Sequence, residues 1–416
     1  MLVVFSIALA PAIPFPAARA GQLSLQLTTA EQQATELAAA FLDGTATFSD
    51  FAAAVNASSL QPRMLVSEGC SGSTEGLAAT RAMIAAHGRS VRSGHGSPDP
   101  WQGPALDGNK HELFKCSEHG LPKGCDITEA IRRQVAKNVK EGAVLVFKAS
   151  TKGDAVPETW GAMRALGAHA AVMWRSNTLA RLLCDVRDCF RSPTYATLVG
   201  AHTDACFSRR KLPSDEQPKV HAASLLPPPL HPRPCRLTTS LTPHPFPLTP
   251  PLPSHPLPNP PPPPPCLVWK VHLDARSLIK ASSPYRKDLH DLLLPLHDAG
   301  YATGDLAVQS LGAGQAAGEI GVESSEALLG YQSSGSAASL EQSLAAWKRV
   351  LASLGVPPDE ATVREVLQGW KRNSVTVAPL SAALDNAADV AAKLAAAGAP
   401  WDGMMEEMWF TVSLSS

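Results

Sequence analysis

Residues 62–74, which read PRMLVSEGCSGST, decide the fold of this chain. The part that ends at Val66 is a short apolar run of strand length, and the Gly/Ser cluster after it predicts a tight loop. Beyond Thr74, apolar residues that include Leu77 and Ile84 recur at helical spacing. The stretch therefore predicts a strand, a loop of small residues and a helix in direct succession.

Two further apolar runs of strand length lie at Ala143 to Phe147 and Ala170 to Trp174, with a helix predicted between them over 158–166. Strands that are apolar throughout are buried on both faces, which is typical of a parallel sheet covered by helices. The predicted fold class is α/β, with a parallel sheet and helices on both faces. Further helices are predicted over 28–55, 126–140, 177–188, 284–299, 338–354, 358–370 and 381–397.

The overall charge and hydropathy exclude two classes of protein. The chain has 36 basic and 37 acidic residues and a net charge of −1, so no cationic field attracts it to nucleic acid or to an anionic membrane. The longest apolar run, over residues 2–18, is interrupted by three prolines. A general nucleic-acid coat protein and a polytopic membrane protein are both excluded.

The amino terminus resembles a secretory signal. Leu2 to Ala10 is apolar, and Ala18-Arg19-Ala20 has the small residues that signal peptidase accepts. No basic residue precedes Arg19, so an uncleaved anchor or a buried terminus stays an alternative to a cleaved signal. We expect the secretory pathway (Golgi or extracellular) as the location, with the cytoplasm as the alternative, and the eight cysteines are compatible with an oxidising compartment.

The cysteine and histidine spacing predicts no metal site. The chain has no CxxC pair, and Cys184 and Cys189 are five positions apart. No cluster of His and Cys has the spacing of a zinc site.

A proline-rich tract interrupts the foldable sequence: 19 of the 37 prolines lie between Pro227 and Pro265. The tract has no acidic residue and cannot form a helix or an inner strand, so we expect a disordered insert. It is either a polyproline linker that docks on aromatic grooves or, as we favour, the translation of a retained pyrimidine-rich intron. The expected organisation is a signal peptide or anchor at 1–20, an N-terminal helical region at 21–60, an α/β domain at 61–226, the insert at 227–266, and the helical remainder of the domain at 267–416.

The loop itself has the chemistry of a phosphate cradle. Small residues allow successive backbone N–H groups to converge on an anion, and the helix that follows adds its positive end. The loop is not the P-loop of nucleotide triphosphatases, because the four-residue spacer and the Gly-Lys-Ser/Thr ending are missing. A plain turn is the alternative. The residues expected to bind the phosphate are Ser71, Gly72, Ser73 and Thr74, with Gly72 leaving the backbone open to it.

This tetrapeptide resembles the 5′-phosphosulfate loop of sulfotransferases, a basic residue followed by Ser-Gly-Ser/Thr-Thr, with Cys70 at the basic position. The run that ends at Lys148 resembles the second strand of that family with its catalytic lysine. Residues 174–184 resemble the 3′-phosphate segment, in which Arg and Asn open a helix that carries a Ser. Arg175 stands one position early in that pattern, and Cys184 takes the place of the Ser.

Two later segments extend the resemblance. Glu323 to Leu329 is similar to the acidic segment before the terminal helices of the family, and Trp347 to Val356 is similar to a helix that ends in Leu-Gly-Val. The resemblance covers about 63–200 and 267–390. It implies a P-loop-like sulfotransferase fold.

The implied activity is in-line transfer of a sulfuryl group from 3′-phosphoadenosine 5′-phosphosulfate (PAPS) to a hydroxyl or amine of a small-molecule or carbohydrate acceptor, without a metal. Lys148 would stabilise charge on the bridging oxygen, and Glu112 would be the base. Ser150 stands where cytosolic members have a His and cannot serve unaided. His111 and His169 are further candidates for the base. Cys70 to Thr74, Arg175 and Cys184 would bind the co-substrate.

Three other functions stay open. One is a nucleotide-binding pseudoenzyme, since the basic loop residue and the usual His are not matched. The second is a P-loop kinase, which needs a divalent metal and an Asp at a strand end, and neither apolar strand is followed by one. The third is a secreted interaction protein whose function lies in the proline-rich tract.

Overall fold

The computed structural model of the chain describes residues 27–68, 71–86, 91–92, 113–151, 153–183, 220–224, 270–303, 320–334, 336–369, 375–398, 401, 404–406 and 408–412. The chain divides into two compact units. The first consists of Met1–Trp174 and Leu289–Lys371, and the second of Arg175–Asp288 and Arg372–Ser416.

The strands, in chain order, are β1 (Arg63–Val66), β2 (Val91–Arg92), β3 (Val144–Ala149), β4 (His169–Trp174), β5 (Val220–Ser224), β6 (Lys270–Leu273), β7 (Gly321–Ser324), β8 (Val375–Pro379) and β9 (Met408–Val412). The helices are α1 (Thr29–Leu42), α2 (Phe48–Asn56), α3 (Ser73–Ala86), α4 (Ile127–Lys140), α5 (Pro157–Ala165), α6 (Ala275–Asp298), α7 (Ser325–Ser334), α8 (Ala337–Ser353), α9 (Glu360–Gly369) and α10 (Ala387–Ala397). Residues 178–183 are also helical.

The first unit is built on a five-stranded sheet in the order β2-β3-β1-β4-β7, and every neighbouring pair in it is parallel. The three strands predicted from apolar runs are its central strands β3, β1 and β4. The α/β class and the parallel sheet are confirmed.

Helices cover both faces of this sheet. Side chains alternate along a strand, so Leu65 lies on one face with Lys148, its partner in register. Helix α3 packs on this face, because a Cβ at Gly76 would lie 3.3 Å from the Leu65 side chain. Phe147 lies on the opposite face, where its ring packs 5.7 Å from that of Phe114, and Phe114 packs in turn 4.6 Å from Trp160 of α5.

The amino-terminal helical region contains two helices where the sequence predicts one over 28–55. Helix α1 ends before Gly44, whose φ of 77° is in the left-handed region that favours glycine. Helix α2 then begins with a new capping box, in which the Thr47 side chain accepts a hydrogen bond from the Asp50 backbone. The prediction of a single helix was wrong because apolar periodicity continues across this break.

Arg81 of α3 reaches the edge of the sheet where the short strand β2 ends. The described residues of β2 pair with Val144 and Leu145, and the carbonyl of Val146 accepts hydrogen bonds from Arg81 Nη2 at 2.9 Å and Nε at 3.3 Å. Burial lowers the pKa of Arg81 to about 10. The Arg81 side chain therefore satisfies a backbone carbonyl of β3.

The second unit contains two antiparallel strand pairs, β5 with β6 and β8 with β9, which the sequence did not predict. Asn386, which directly precedes α10, bonds to the last residue of β6. Its Nδ2 donates to the Leu273 carbonyl at 2.9 Å, and its Oδ1 accepts a hydrogen bond from the Leu273 backbone N–H at 3.2 Å. The helix predicted over 381–397 is therefore interrupted, and α10 begins at Ala387 after a 3-10 turn over Leu380–Ala383. Helix α6 begins at Ala275 and not at 284.

The β5–β6 pair brings together the two ends of the segment that contains the proline-rich tract. Ser224 lies opposite Lys270 in this pair, so residues 225–269 leave and return at neighbouring positions. We expect that replacing 225–269 with a six-residue Gly/Ser turn keeps the fold and raises the free energy of unfolding by about 2 kcal/mol, because closing a shorter loop costs less entropy. Urea unfolding measures the change. A shortened protein that unfolds at lower urea than the parent would contradict this expectation.

Candidate functional site

The candidate site lies at the carboxyl ends of β1, β3 and β4, which are adjacent in the sheet. Val66 pairs with Ala149 on one side and with Val172 on the other, and the Ser67 N–H extends the ladder by donating to the Ala149 carbonyl at 2.9 Å. After β1 the chain continues to β2, which lies on one side of β1 in the sheet, whereas β4 and then β7 lie on its other side. The topological switch point is therefore between β1 and β4. Open α/β sheets bind ligands at such a switch point, outside the carboxyl ends of the strands.

The loop between β1 and α3 is held by its own hydrogen bonds. The Ser71 hydroxyl is buried and donates to the Glu68 carbonyl at 2.7 Å. Helix α3 begins at Ser73, followed by Thr74, as the phosphate-cradle hypothesis requires. The strand and the helix predicted at the two ends of 62–74 are confirmed as β1 and α3.

Gly72 is enclosed by side chains and does not open onto a ligand in the direction of a Cβ. Its φ is 71°, and a Cβ there would lie 2.7 Å from Leu329 Cδ1 of α7 and 3.4 Å from Met173 Cε of β4. Backbone conformation and close packing therefore require a glycine at this position. An anion would have to approach Gly72 from another direction, such as that of the loop's backbone N–H groups.

Lys148 is a buried residue of β3 and not a solvated lysine at a strand end. Strand β3 extends through Ala149, so Lys148 is its last residue but one, and only 5% of its surface is exposed. Its partner in register is Leu65, two residues before Ser67. The structure therefore brings Lys148 and the start of the Gly/Ser loop together at the carboxyl ends of β3 and β1.

Glu68 is a second buried charged residue at the carboxyl ends of these strands, and no motif in the sequence indicates a role for it. It is 4% exposed, and its Oε1 accepts a hydrogen bond from the Thr151 hydroxyl at 2.5 Å. A carboxylate oriented in this way can accept a proton from a bound hydroxyl. The sequence signal was an acidic residue directly after a strand, within an otherwise uncharged loop.

The other candidates for the base lie in different places. Ser150 is buried directly after β3. His169 is the first residue of β4, so it lies at the opposite edge of the sheet from Lys148, where its Nε2 is 3.3 Å from Gln61 Oε1. This position makes His169 unsuitable as the base. His111 and Glu112 lie outside the described residues, as do Cys70 and Cys184 of the predicted co-substrate site.

Arg175 belongs to the second unit, as the first residue after β4. Two residues further along, Asn177 Oδ1 accepts a hydrogen bond from the Ala180 N–H at 3.0 Å and caps the helical residues 178–183. Asn177 Nδ2 also donates to the Met404 carbonyl at 3.0 Å. The segment thus has the helix start that the family resemblance predicts.

The acidic segment at Glu323 forms a fork-shaped ion pair with α8. Arg349 Nη2 donates to Glu323 Oε2 at 2.9 Å, and Arg349 Nε donates to Oε1. This bonding to Glu323 holds the pKa of Arg349 above its usual value. The Arg349 guanidinium and the Glu323 carboxylate therefore connect α8 to β7, and this role is structural.

A disulfide supports the loop that carries Thr151. Cys116 is bonded to Cys125, and the Cys116 N–H donates to Asp154 Oδ2 at 2.8 Å. Asp154 N–H in turn donates to the Phe114 carbonyl at 2.7 Å. The segment closed by the disulfide is therefore attached to the loop after β3.

Replacement of both cysteines (Cys116→Ser with Cys125→Ser) should lower the free energy of unfolding by about 2.7 kcal/mol. The two cysteines are 9 positions apart, and the unfolded chain gains entropy when the loop between them is no longer closed. Urea unfolding with and without dithiothreitol measures the loss. Reductant should destabilise the parent by a similar amount and leave the double variant unchanged. An equal effect of reductant on both proteins would assign the loss to other cysteines.

Among the described residues, no group of three or more His, Cys, Asp or Glu side chains is arranged to hold a metal ion. Within the same residues, no helix has the length and hydropathy needed to span a bilayer.

Comparison with known proteins gives no relative. No protein-family model, no curated protein and no solved structure matches this chain. The function is therefore inferred from the residues and their arrangement.

Proposed function

We propose that the chain is a PAPS-dependent sulfotransferase with a P-loop-like sulfotransferase fold, which transfers a sulfuryl group to a hydroxyl or amine of a small-molecule or carbohydrate acceptor. The observation that supports this proposal most directly is the position of Lys148. It is buried in the strand beside β1, and β1 leads through the Gly/Ser loop into α3. A cation and an anion-binding loop at one sheet edge are what group transfer from a phosphosulfate requires.

The reaction breaks the bond between the sulfur and the bridging oxygen of the co-substrate and forms a bond from sulfur to the acceptor. The leaving phosphate keeps the electron pair, and the Lys148 ammonium would stabilise this charge. The backbone N–H groups at the start of α3 would hold the 5′-phosphate, and Arg175 and the Cys184 position would serve the 3′-phosphate. The acceptor proton goes to a carboxylate, for which Glu112 and the buried Glu68 are the candidates.

The disulfide supports a location in the secretory pathway. Structural disulfides form and persist in oxidising compartments, and the Cys116–Cys125 bond adds to the apolar amino terminus as an argument for the Golgi or the extracellular space.

The direct test is a thermal-shift titration with adenosine 3′,5′-bisphosphate, which requires no knowledge of the acceptor. Binding to the folded state should stabilise the protein by about 2.7 kcal/mol when the nucleotide is at 100 times its Kd. Adenosine is the matched control, since it lacks both phosphates and should give no shift. A protein that melts at the same temperature with and without millimolar nucleotide would contradict the proposal.

A further inference from the structure

Two buried polar atoms at the carboxyl edge of the sheet have no hydrogen-bond partner among the described residues. They are the hydroxyl oxygen of Ser67, a residue with no exposed surface, and Nε1 of Trp174. Buried polar groups are almost always hydrogen-bonded, because an unmade bond carries the full penalty of desolvation. Each of the two atoms therefore needs a partner that the described residues do not supply.

Their positions point to the same place. Ser67 follows β1 directly, and Trp174 is the last residue of the neighbouring strand β4. Val66 pairs with Val172, so Ser67 lies opposite Met173 and Trp174 is one residue further along β4. With ordinary strand spacing their backbones are about 6 Å apart. Both border the switch point between β1 and β4, where open α/β sheets bind ligands.

Alternation along the strands puts Trp174 on the face of Val172 and Ser67 on the face of Leu65. A ligand that lies over the carboxyl edge of the sheet can be reached from both faces. Arg132 Nε, which also has no partner, is a different case, because its guanidinium lies 4.2 Å above the Phe48 ring.

The chemistry of the two groups defines what can satisfy them. An indole N–H only donates, and a serine hydroxyl can donate, so the missing partner must present acceptor atoms. We propose that Ser67 and Trp174 donate hydrogen bonds to a phosphorylated nucleotide bound between β1 and β4. This assignment rests on the proposed function for the nature of the nucleotide, but the family resemblance gives neither Ser67 nor Trp174 a role in binding it.

The test separates two properties of each variant: stability without ligand and affinity for ligand. Ser67→Ala removes a hydroxyl, and Trp174→Phe removes Nε1 with part of the ring. Neither polar atom has a hydrogen-bond partner among the described residues, so the free variants should melt close to or above the temperature of the parent. The same variants should bind adenosine 3′,5′-bisphosphate about threefold to tenfold more weakly, because each loses one hydrogen bond to the ligand.

Matched controls come from α8, where the corresponding groups have partners. The Ser343 hydroxyl donates to the Ala327 carbonyl at 2.8 Å, and Trp347 Nε1 donates to the Leu328 carbonyl at 3.0 Å. Ser343→Ala and Trp347→Phe should therefore lower the melting temperature of the free protein and leave the nucleotide Kd unchanged. We therefore expect the test variants to change the nucleotide Kd without lowering the melting temperature, and the control variants to lower the melting temperature without changing the Kd.

Binding is measured by titration with adenosine 3′,5′-bisphosphate, ATP and inorganic pyrophosphate. If the parent binds the bisphosphate and both test variants bind it equally well, the inference is overturned while the proposed function stands. If only ATP or pyrophosphate binds and the variants weaken that binding, the inference stands and the co-substrate assignment is overturned. If none of the three binds the parent, both are overturned. Should Trp174→Phe fail to fold, Ser67→Ala together with Ser67→Cys, a weak donor of similar size, decides the outcome.

Discussion

Gly72→Ala is expected to lower the free energy of unfolding by about 3.5 kcal/mol. An L-residue in the left-handed region costs roughly 1–2 kcal/mol, and forcing a methyl group into a packed site costs roughly 1–3 kcal/mol more. Both costs apply, since φ is 71° and the added Cβ would approach Leu329 Cδ1 to 2.7 Å. Urea unfolding of the variant measures the sum.

Gly44→Ala is the matched control for this substitution. Gly44 has a similar φ of 77°, but nothing lies within 4 Å of the position that its Cβ would take. The control should therefore lose only the conformational part, about 1–2 kcal/mol. Equal losses in the two variants would show that Leu329 does not confine the loop, and the close packing of α7 against Gly72 would be wrong.

Lys148→Met should lower the turnover rate about a hundredfold, which corresponds to about 3 kcal/mol of transition-state stabilisation, by comparison with the loss of one oxyanion donor. The Kd for adenosine 3′,5′-bisphosphate should change much less, because the charge on the bridging oxygen develops only during the reaction. Arg175→Met should show the opposite pattern, with weaker nucleotide binding as its main effect.

Turnover is measured as transfer of labelled sulfate to acceptors found by screening. Lys137→Met on the exposed side of α4 is the control for loss of a lysine and should keep the parental rate. Near-parental turnover in Lys148→Met would leave the buried lysine with a structural role and remove the central residue from the proposed mechanism.

The central sheet of the first unit could be predicted from the sequence because its strands are apolar on both faces. The runs at Pro62 to Val66, Ala143 to Phe147 and Ala170 to Trp174 correspond to β1, β3 and β4 with shifts of no more than two residues at either end. Burial on both faces leaves a continuous apolar signal that needs no knowledge of the neighbouring strands.

Features that depend on distant contacts could not be predicted. Thr151 donates to Glu68 across 83 positions, and Asn386 bonds to Leu273 across 113. Neither residue has a local pattern that indicates its partner. Pairing of Cys116 with Cys125 is similarly inaccessible, since eight cysteines allow many connectivities.

The contact between Arg81 and the Val146 carbonyl also has a consequence for solubility. An unpaired row of backbone groups at the edge of a sheet is a template for a strand from another molecule, and such templates lead to aggregation. Here the Val146 carbonyl, next to the part of β3 that pairs with the described residues of β2, already accepts two hydrogen bonds from a guanidinium. A foreign strand would have to displace a buried cation to extend the pairing along β3, so Arg81 protects this part of the sheet against edge-to-edge association.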